Sequence, residues 1–194
     1  MINLDKVESY ARENHIPVML KESLDILNLL VSITKPRKIL EIGTAIGYSG
    51  LNMLYHADPE CELYTMEMEE ESIKIAEKNF TDSNVMDRVH IFKGDAREIV
   101  PLVSGKFDFI MLDGPKGQYA AFLPYLINLL NKNGILFADN VLFKGMINGK
   151  AEVKHKKITI VNNLHEFIDK IMNDKDLVSI LIDRGDGISI SYKL

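Results

Sequence analysis

Three features of the sequence predict an α/β fold with a mostly parallel sheet covered on both faces. Short apolar runs of strand character recur along the chain, segments of helical period lie between them, and a glycine-rich loop follows the first run. The candidate strands are 37–43, 62–68, 89–95, 107–113, 134–140, 178–183 and 187–193. Helical spacing groups Ile73, Ala76 and Phe80 on one face. It does the same for Tyr119, Phe122, Leu123, Leu126 and Leu130, and for Ile158, Val161, Leu164, Ile168 and Ile171. Parallel strands require crossover connections, and these helices supply them. The last two strands are joined only by Arg184-Gly185-Asp186-Gly187, too short for a crossover, so they are expected to pair antiparallel. Ahead of the sheet, 3–14 and 20–34 read as helices, the second with Leu20, Leu24, Leu27 and Val31 on one face. Pro17 keeps Ile16 extended between them. Residues 1–36 are therefore a helical cap on the sheet or a lid over a site, and 37–194 the core of a single domain, 1–194.

The bulk composition narrows the classes of function. At 194 residues and 46% hydrophobic, the chain is large enough to bury a sizeable core. Its apolar runs are far short of the roughly 20 residues that cross a bilayer, so no membrane association is expected. The opening stretch, polar and mixed in charge, does not read as a secretory signal. One cysteine, Cys61, excludes an internal disulfide and fits a reducing, cytoplasmic location. The five histidines show no ligand spacing. A net charge of −5 argues against a surface that binds nucleic acid as a whole. Residues 144–157 are the exception: five lysines and one glutamate give a local +4, leaving −9 on the remainder.

Ligands of open α/β sheets bind outside the carboxyl ends of the strands, where strand order reverses. The first strand and its loop, Ile39 to Gly50, are the usual place, and a nucleotide-type ligand is the default expectation. Gly43 and Gly47 are separated by Thr44-Ala45-Ile46, which is not the G-x-G-x-x-G of a dinucleotide site. Glu41, ahead of the first glycine, would repel a diphosphate and suits a cationic or hydrogen-donating ligand. Glu67, ending the second strand, can take the two hydroxyls of a ribose, and Asp95, ending the third, an adenine amine or a backbone donor. Taken singly, glycines make turns and acids sit at exposed strand ends. Acids at three successive strand ends beside a glycine loop point to a ligand.

In the second half, Asp113 ends one strand and Asp139-Asn140 the next. If these strands are neighbours, two carboxylates and an amide oxygen converge. That all-oxygen set favours Mg²⁺, or Mn²⁺ or Ca²⁺, over zinc. Lys116, on a glycine-flanked loop after Asp113, is a candidate general base if a neighbouring cation lowers its pKa. The alternatives are a turn at Asp139-Asn140, a helix cap at Asp113 and a solvated lysine.

Five motifs, RKILEIGTAIGYSG, MEME, KGDA, LDGPKGQY and ADNVLFKG, occur in this order. Together they make the chain similar to the cation-dependent class I O-methyltransferases, a group that includes the catechol and caffeoyl-coenzyme A O-methyltransferases. The DNVLFKG and GDGISIS stretches resemble most the bacterial branch containing tRNA 5-hydroxyuridine O-methyltransferases. The resemblance implies a Rossmann-like sheet of order 3-2-1-4-5-7-6 with strand 7 antiparallel, and S-adenosyl-L-methionine at the glycine loop. It implies that Glu41 and Gly43 lie along the methionine part of that cofactor, that Ser49 binds its carboxylate and Glu67 its ribose, and that Asp95 and Ala96 border the adenine. Met19 would close over it, making the N-terminal helices a lid. Asp113 would lie near both sulfonium and metal, Asp139 and Asn140 would complete the metal site, and Lys116 matches the base. The family's habit also implies a homodimer. The chain has no tryptophan, so the aromatic gatekeepers of catechol enzymes do not carry over.

Three functions compete. A methyltransferase acting on the tRNA anticodon region, at the wobble 5-hydroxyuridine, would use Lys144, Lys150, Lys154, Lys156 and Lys157 to grip phosphate; a solvated loop and helix start is the bland account of those lysines. A small-molecule catechol or caffeoyl-type enzyme would leave them idle. A non-catalytic S-adenosylmethionine-binding protein would have no use for the set Asp113, Lys116, Asp139 and Asn140.

Overall fold

The sheet is built outward from Lys38–Ile42 (β1), which is flanked by Glu62–Glu67 (β2) and Phe107–Leu112 (β4), both parallel to it. A computed structural model describes residue 2 and residues 4–194. Val89–Lys93 (β3) extends the sheet beyond β2, and Leu130–Asp139 (β5) lies parallel to β4. Ile188–Lys193 (β7) then pairs antiparallel with β5 and with Leu177–Ile182 (β6), giving the order β3-β2-β1-β4-β5-β7-β6. The order and the antiparallel β7 are as expected.

Two apolar layers cover the faces. On one, Leu4–Glu13 (α1), Lys21–Thr34 (α2), Tyr48–His56 (α3) and Glu70–Asp82 (α4) pack over Ile39, Phe109, Met111 and Phe137. On the other, Tyr119–Leu129 (α6) and Ile158–Asn173 (α7) cover Leu40, Ile42, Ile110, Leu112 and Leu136, and the short Ala96–Ile99 (α5) follows β3. Alternate residues of the central strands thus feed opposite layers, as a parallel sheet buried on both faces requires. Each fully buried leucine, isoleucine or phenylalanine contributes about 1.5–3 kcal/mol of burial free energy.

Several expected boundaries shift for identifiable reasons. Residue 3, the expected start of the first helix, lies outside the described residues. α2 ends where Lys35 turns left-handed (φ 48°) just ahead of Pro36. Its expected apolar face holds at Leu24, Leu27 and Val31, whereas Leu20 precedes the helix and is exposed. α6 stops at Leu129, and Leu130 opens β5 by pairing with Phe107. The polar Asn131-Lys132-Asn133 conceals that early start; an irregularity in register and a left-handed Asn133 (φ 65°) absorb the extra residues. In α7 the buried face is Val161, Leu164, Phe167 and Ile171; the expected Ile158 is exposed and Ile168 only partly buried, because the sheet lies under the Phe167 side.

The turn between β6 and β7 also reaches the end of β5. Val141 and Leu142 donate their backbone N–H groups to the carbonyls of Gly187 and Asp186. Gly187 has φ 83°, and a Cβ there would stand 2.2 Å from Leu142 Cγ. Backbone conformation and space both demand glycine. Gly187→Ala is expected to lower unfolding free energy by about 2–4 kcal/mol through positive-φ strain plus overpacking, read as a fall in the urea midpoint at unchanged m-value.

Candidate active site

The parallel pairing of β4 with β5 sets Leu112 opposite Ala138, so the residues after them, Asp113 and Asp139, lie side by side at the carboxyl ends of the two strands. There they border a cavity of about 450 Å³ at the carboxyl ends of the strands. Most of the expected site comes together on its walls: Met19, Gly43, Glu67, Asp95, Ala96, Asp113, Lys116, Asp139 and Asn140. Pro17, Val18, Met19 and Leu20, between α1 and α2, close one side. The N-terminal helices therefore form a packed layer of the fold, and the segment between them walls the cavity.

Asp139 is fully buried. One carboxylate oxygen, Oδ1, accepts from Ser23 Oγ of α2 at 2.9 Å, while Oδ2 is buried with no hydrogen-bond partner. Burial, and next the like charge of Asp113, push the Asp139 carboxyl up to about 6. Lys116 Nζ donates to Asp113 Oδ1 at 2.7 Å, both side chains being mostly buried. Tyr119, beneath them, has its hydroxyl 3.1 Å from both the Leu112 and Asp139 carbonyls, tying the ends of the two strands together. Asn140 is held in the left-handed region (φ 57°), a conformation asparagine tolerates better than most residues. A buried carboxylate oxygen without a partner, beside a second carboxylate and an amide, fits an oxygen-seeking divalent cation.

The other half of the cavity is lined by backbone and acids. Gly43 (φ 108°) passes so close to β4 that a Cβ would lie 2.8 Å from the Asp113 carbonyl oxygen. Glu67 Oε2 accepts from Ala45 N at 2.9 Å, and its Oε1 from the backbone N–H groups of Met68 and Glu69 at 2.8 and 3.0 Å. Asp95 caps α5 by accepting from Arg97 N at 2.8 Å and forms an ion pair with the Arg97 guanidinium, which holds its carboxyl below the usual range. Four carboxylates and one lysine line the cavity, with Asp95 already paired to Arg97. This favours cationic ligands.

Two expected residues sit elsewhere. Glu41 lies fully buried beneath the glycine loop, its oxygens accepting from Ser49 Oγ and Thr65 Oγ1, with Thr44 Oγ1 2.6 Å from Thr65 Oγ1. Ser49 borders a small side cavity of about 40 Å³ with Met19, Gly43 and Asp113. The lysines 144, 150, 154, 156 and 157 are all exposed on the segment after Asn140 and do not line the main cavity. Lys150 pairs with Asp183, and Lys157 stands 5.7 Å over the Phe143 ring. No metal-ligating group of three or more His, Cys, Asp or Glu side chains occurs among the described residues; the candidate metal set has two acids, its third member being an amide. Nor, among them, is any helix long and apolar enough to cross a membrane. Sequence reasoning missed Ser23, which acts across 116 residues and belongs to no motif, and it read Tyr119, the last residue of LDGPKGQY, only as part of an apolar helix face.

The sheet order and its antiparallel β7 are those of the class I methyltransferase fold. Over residues 3–194 the sequence matches the family model described as O-methyltransferase, and the chain belongs to that family. It is 30% identical over 127 residues to a catechol O-methyltransferase of Mycobacterium tuberculosis, covering 65% of this chain and 58% of the relative. It is 33% identical over 111 residues to the O-methyltransferase hkm8 of Aspergillus hancockii, covering 55% and 44%. The chain thus spans about half the length of these curated relatives. A Staphylococcus aureus structure, named as a candidate caffeoyl-CoA O-methyltransferase, superimposes with a TM-score of 0.89 at 26% identity over 98% of this chain and 92% of that one. A Bacillus cereus O-methyltransferase in complex with SAH shares the fold at a TM-score of 0.86 and 24% identity, covering 98% and 90%.

Burial pushes the Glu41 carboxyl from 4.5 up to about 7, and the hydrogen bonds from Ser49 and Thr65 offset this only in part. The folded state therefore binds a proton that the unfolded state has released between these values. Stability from this group is fully present below pH 4.5 and is lost as pH rises to about 7. Relative to Glu41→Gln, the wild type is expected to lose on the order of 3 kcal/mol across that window. Urea unfolding of both proteins at several pH values checks this; parallel profiles would refute it.

Proposed function

We propose that this chain is an S-adenosylmethionine- and divalent-cation-dependent O-methyltransferase, and that its acceptor is 5-hydroxyuridine at the wobble position of tRNA, giving 5-methoxyuridine. The observation that carries the catalytic part is the buried, unpartnered Asp139 Oδ2 beside Asp113 and Asn140 on an acid-rich cavity. Asp113, Asp139 and Asn140 would hold the cation, with Mg²⁺ first and Mn²⁺ or Ca²⁺ as alternatives. When bound, the cation supplies Lewis acidity and a template for two neighbouring acceptor oxygens, and S-adenosylmethionine supplies a methyl group on a positively charged sulfur.

The chain's own residues do the remainder. Lys116 is the base that takes the acceptor's hydroxyl proton, and Asp113 Oδ1, 2.7 Å from its Nζ, holds it in place. Gly43 leaves room for the methionine part of the cofactor, with Glu41 and Ser49 below and beside it. Glu67, anchored by Ala45 N, faces the ribose, and Asp95 and Ala96 border the adenine. Met19 and its neighbours exclude water from the line of transfer, which is where much of the acceleration arises.

Support for an RNA acceptor comes from the exposed lysines 144, 150, 154, 156 and 157, which follow the cavity residue Asn140 directly. The C4 carbonyl and C5 hydroxyl of 5-hydroxyuridine are vicinal, as catechol oxygens are. The second reading, a small catechol-like acceptor, is favoured by the catechol O-methyltransferase among the relatives. A cytoplasmic location belongs to the proposal. So does a homodimer, which would cover the exposed Val178 and Ile180 of β6; a monomeric mass by sedimentation equilibrium would remove it.

Labelled methyl transfer from S-adenosylmethionine to tRNA bearing 5-hydroxyuridine, with Mg²⁺ and with EDTA beside a catechol control, tests the whole. We expect label on tRNA that EDTA abolishes. Label on catechol alone would establish the second reading, and label on neither would leave a binding protein. Replacing the five lysines with glutamine is expected to reduce tRNA methylation alone and to flatten its salt dependence.

A further inference from the structure

The cavity's most unusual contact comes from outside the sheet. Ser23 lies in the first turn of α2, is fully buried, and donates its hydroxyl to Asp139 Oδ1 across 116 residues of sequence. α2 is fixed in place by Leu24, Leu27 and Val31, which pack into the layer over the sheet. The β6–β7 turn closes over the same point: a Cβ on Gly185 would stand 3.4 Å from Ser23 Oγ. The serine is therefore held on both sides. Asp139 Oδ2 is the only carboxylate oxygen buried without a hydrogen-bond partner among the described residues.

An ionised carboxylate can only accept, so the hydroxyl of Ser23 is the donor. Occupying Oδ1 fixes the rotation of the carboxylate and leaves one defined oxygen, Oδ2, for a cation. Groups that hydrogen-bond a metal-binding carboxylate set its orientation, and their loss typically costs tenfold to a hundredfold in metal affinity. Ser23 is also one turn from the segment Pro17–Leu20 that walls the cavity. Whatever favours the bound orientation of Asp139 must also favour the docked position of α2, because linkage between two equilibria is reciprocal.

We infer that Ser23 is a positioning residue for the cation site, orienting Asp139 and coupling cation binding to the docking of the N-terminal wall. This inference rests on the proposed cation site at Asp113, Asp139 and Asn140.

The test is titration calorimetry of the full chain with Mn²⁺ and, separately, with S-adenosylmethionine, for the wild type, Ser23→Ala and Ser23→Thr. Hydrogen exchange of residues 17–24 is followed with and without Mn²⁺. Ser23→Ala is expected to weaken Mn²⁺ binding by about tenfold or more while S-adenosylmethionine affinity stays within about twofold. Ser23→Thr, which keeps the hydroxyl, is expected to restore it. Mn²⁺ is expected to slow exchange over 17–24 in the wild type and in Ser23→Thr but not in Ser23→Ala. Unchanged Mn²⁺ affinity in Ser23→Ala would overturn the assignment. So would a joint loss of both affinities, which would make the hydroxyl merely structural. A wild type that binds no Mn²⁺ would instead defeat the cation site itself, and the positioning role with it.

Discussion

The parallel ladder between β4 and β5 is the contact on which the site depends. It brings two aspartates, 26 positions apart in sequence, to the same level of the sheet. Neither strand has any local reason to end in an acid, and two like charges side by side in a buried setting oppose one another. The fold holds them there through apolar pairing below, from Phe109 opposite Ile135 up to Leu112 opposite Ala138, and through the Tyr119 hydroxyl, which reaches the backbone of both strand ends. The free energy of the apolar layers is what keeps an electrostatically unfavourable arrangement in place. A buried carboxylate oxygen left without a partner, as Asp139 Oδ2 is, marks a candidate ligand site.

The two halves of the cavity handle their acids differently. On the β1–β3 side every carboxylate is satisfied by the chain itself: Glu41 by two hydroxyls, Glu67 by three backbone N–H groups, Asp95 by its helix and Arg97. These groups shape a surface and set a potential. On the β4–β5 side Asp139 keeps an oxygen unused, and Lys116 is held against Asp113. One side thus has its acids satisfied by the chain alone, while the other keeps a buried acceptor unused.

The sheet was legible in the sequence because its central strands are uninterrupted apolar runs, each followed by glycine or acid. The positions of Asp113, Lys116, Asp139 and Asn140 on one cavity followed from strand adjacency alone. A boundary failed where polar residues continue a strand, as at Asn131-Lys132-Asn133, and an expected buried face failed where helical spacing runs past the ground the sheet covers, as at Ile158. Glu41 was placed at the mouth of the loop by its position before Gly43. It lies buried because the strand's alternation turns it toward Thr65 and Ser49, a fact about neighbours that no local pattern encodes. Ser23 was invisible for a similar reason. A serine in the first turn of a helix ordinarily reads as part of its cap.

The place of β7 decides how the charged end of the cavity is closed. It enters the sheet between two strands that both precede it in the chain, and its first residue, Ile188, pairs with Asp139 itself. Without β7, Asp139 would sit on a bare sheet edge, open to water. The turn that leads into β7 passes so close to Leu142 that a Cβ at Gly187 would overlap it. The charged half of the cavity is therefore sealed by a strand that joins the sheet out of chain order, between β5 and β6.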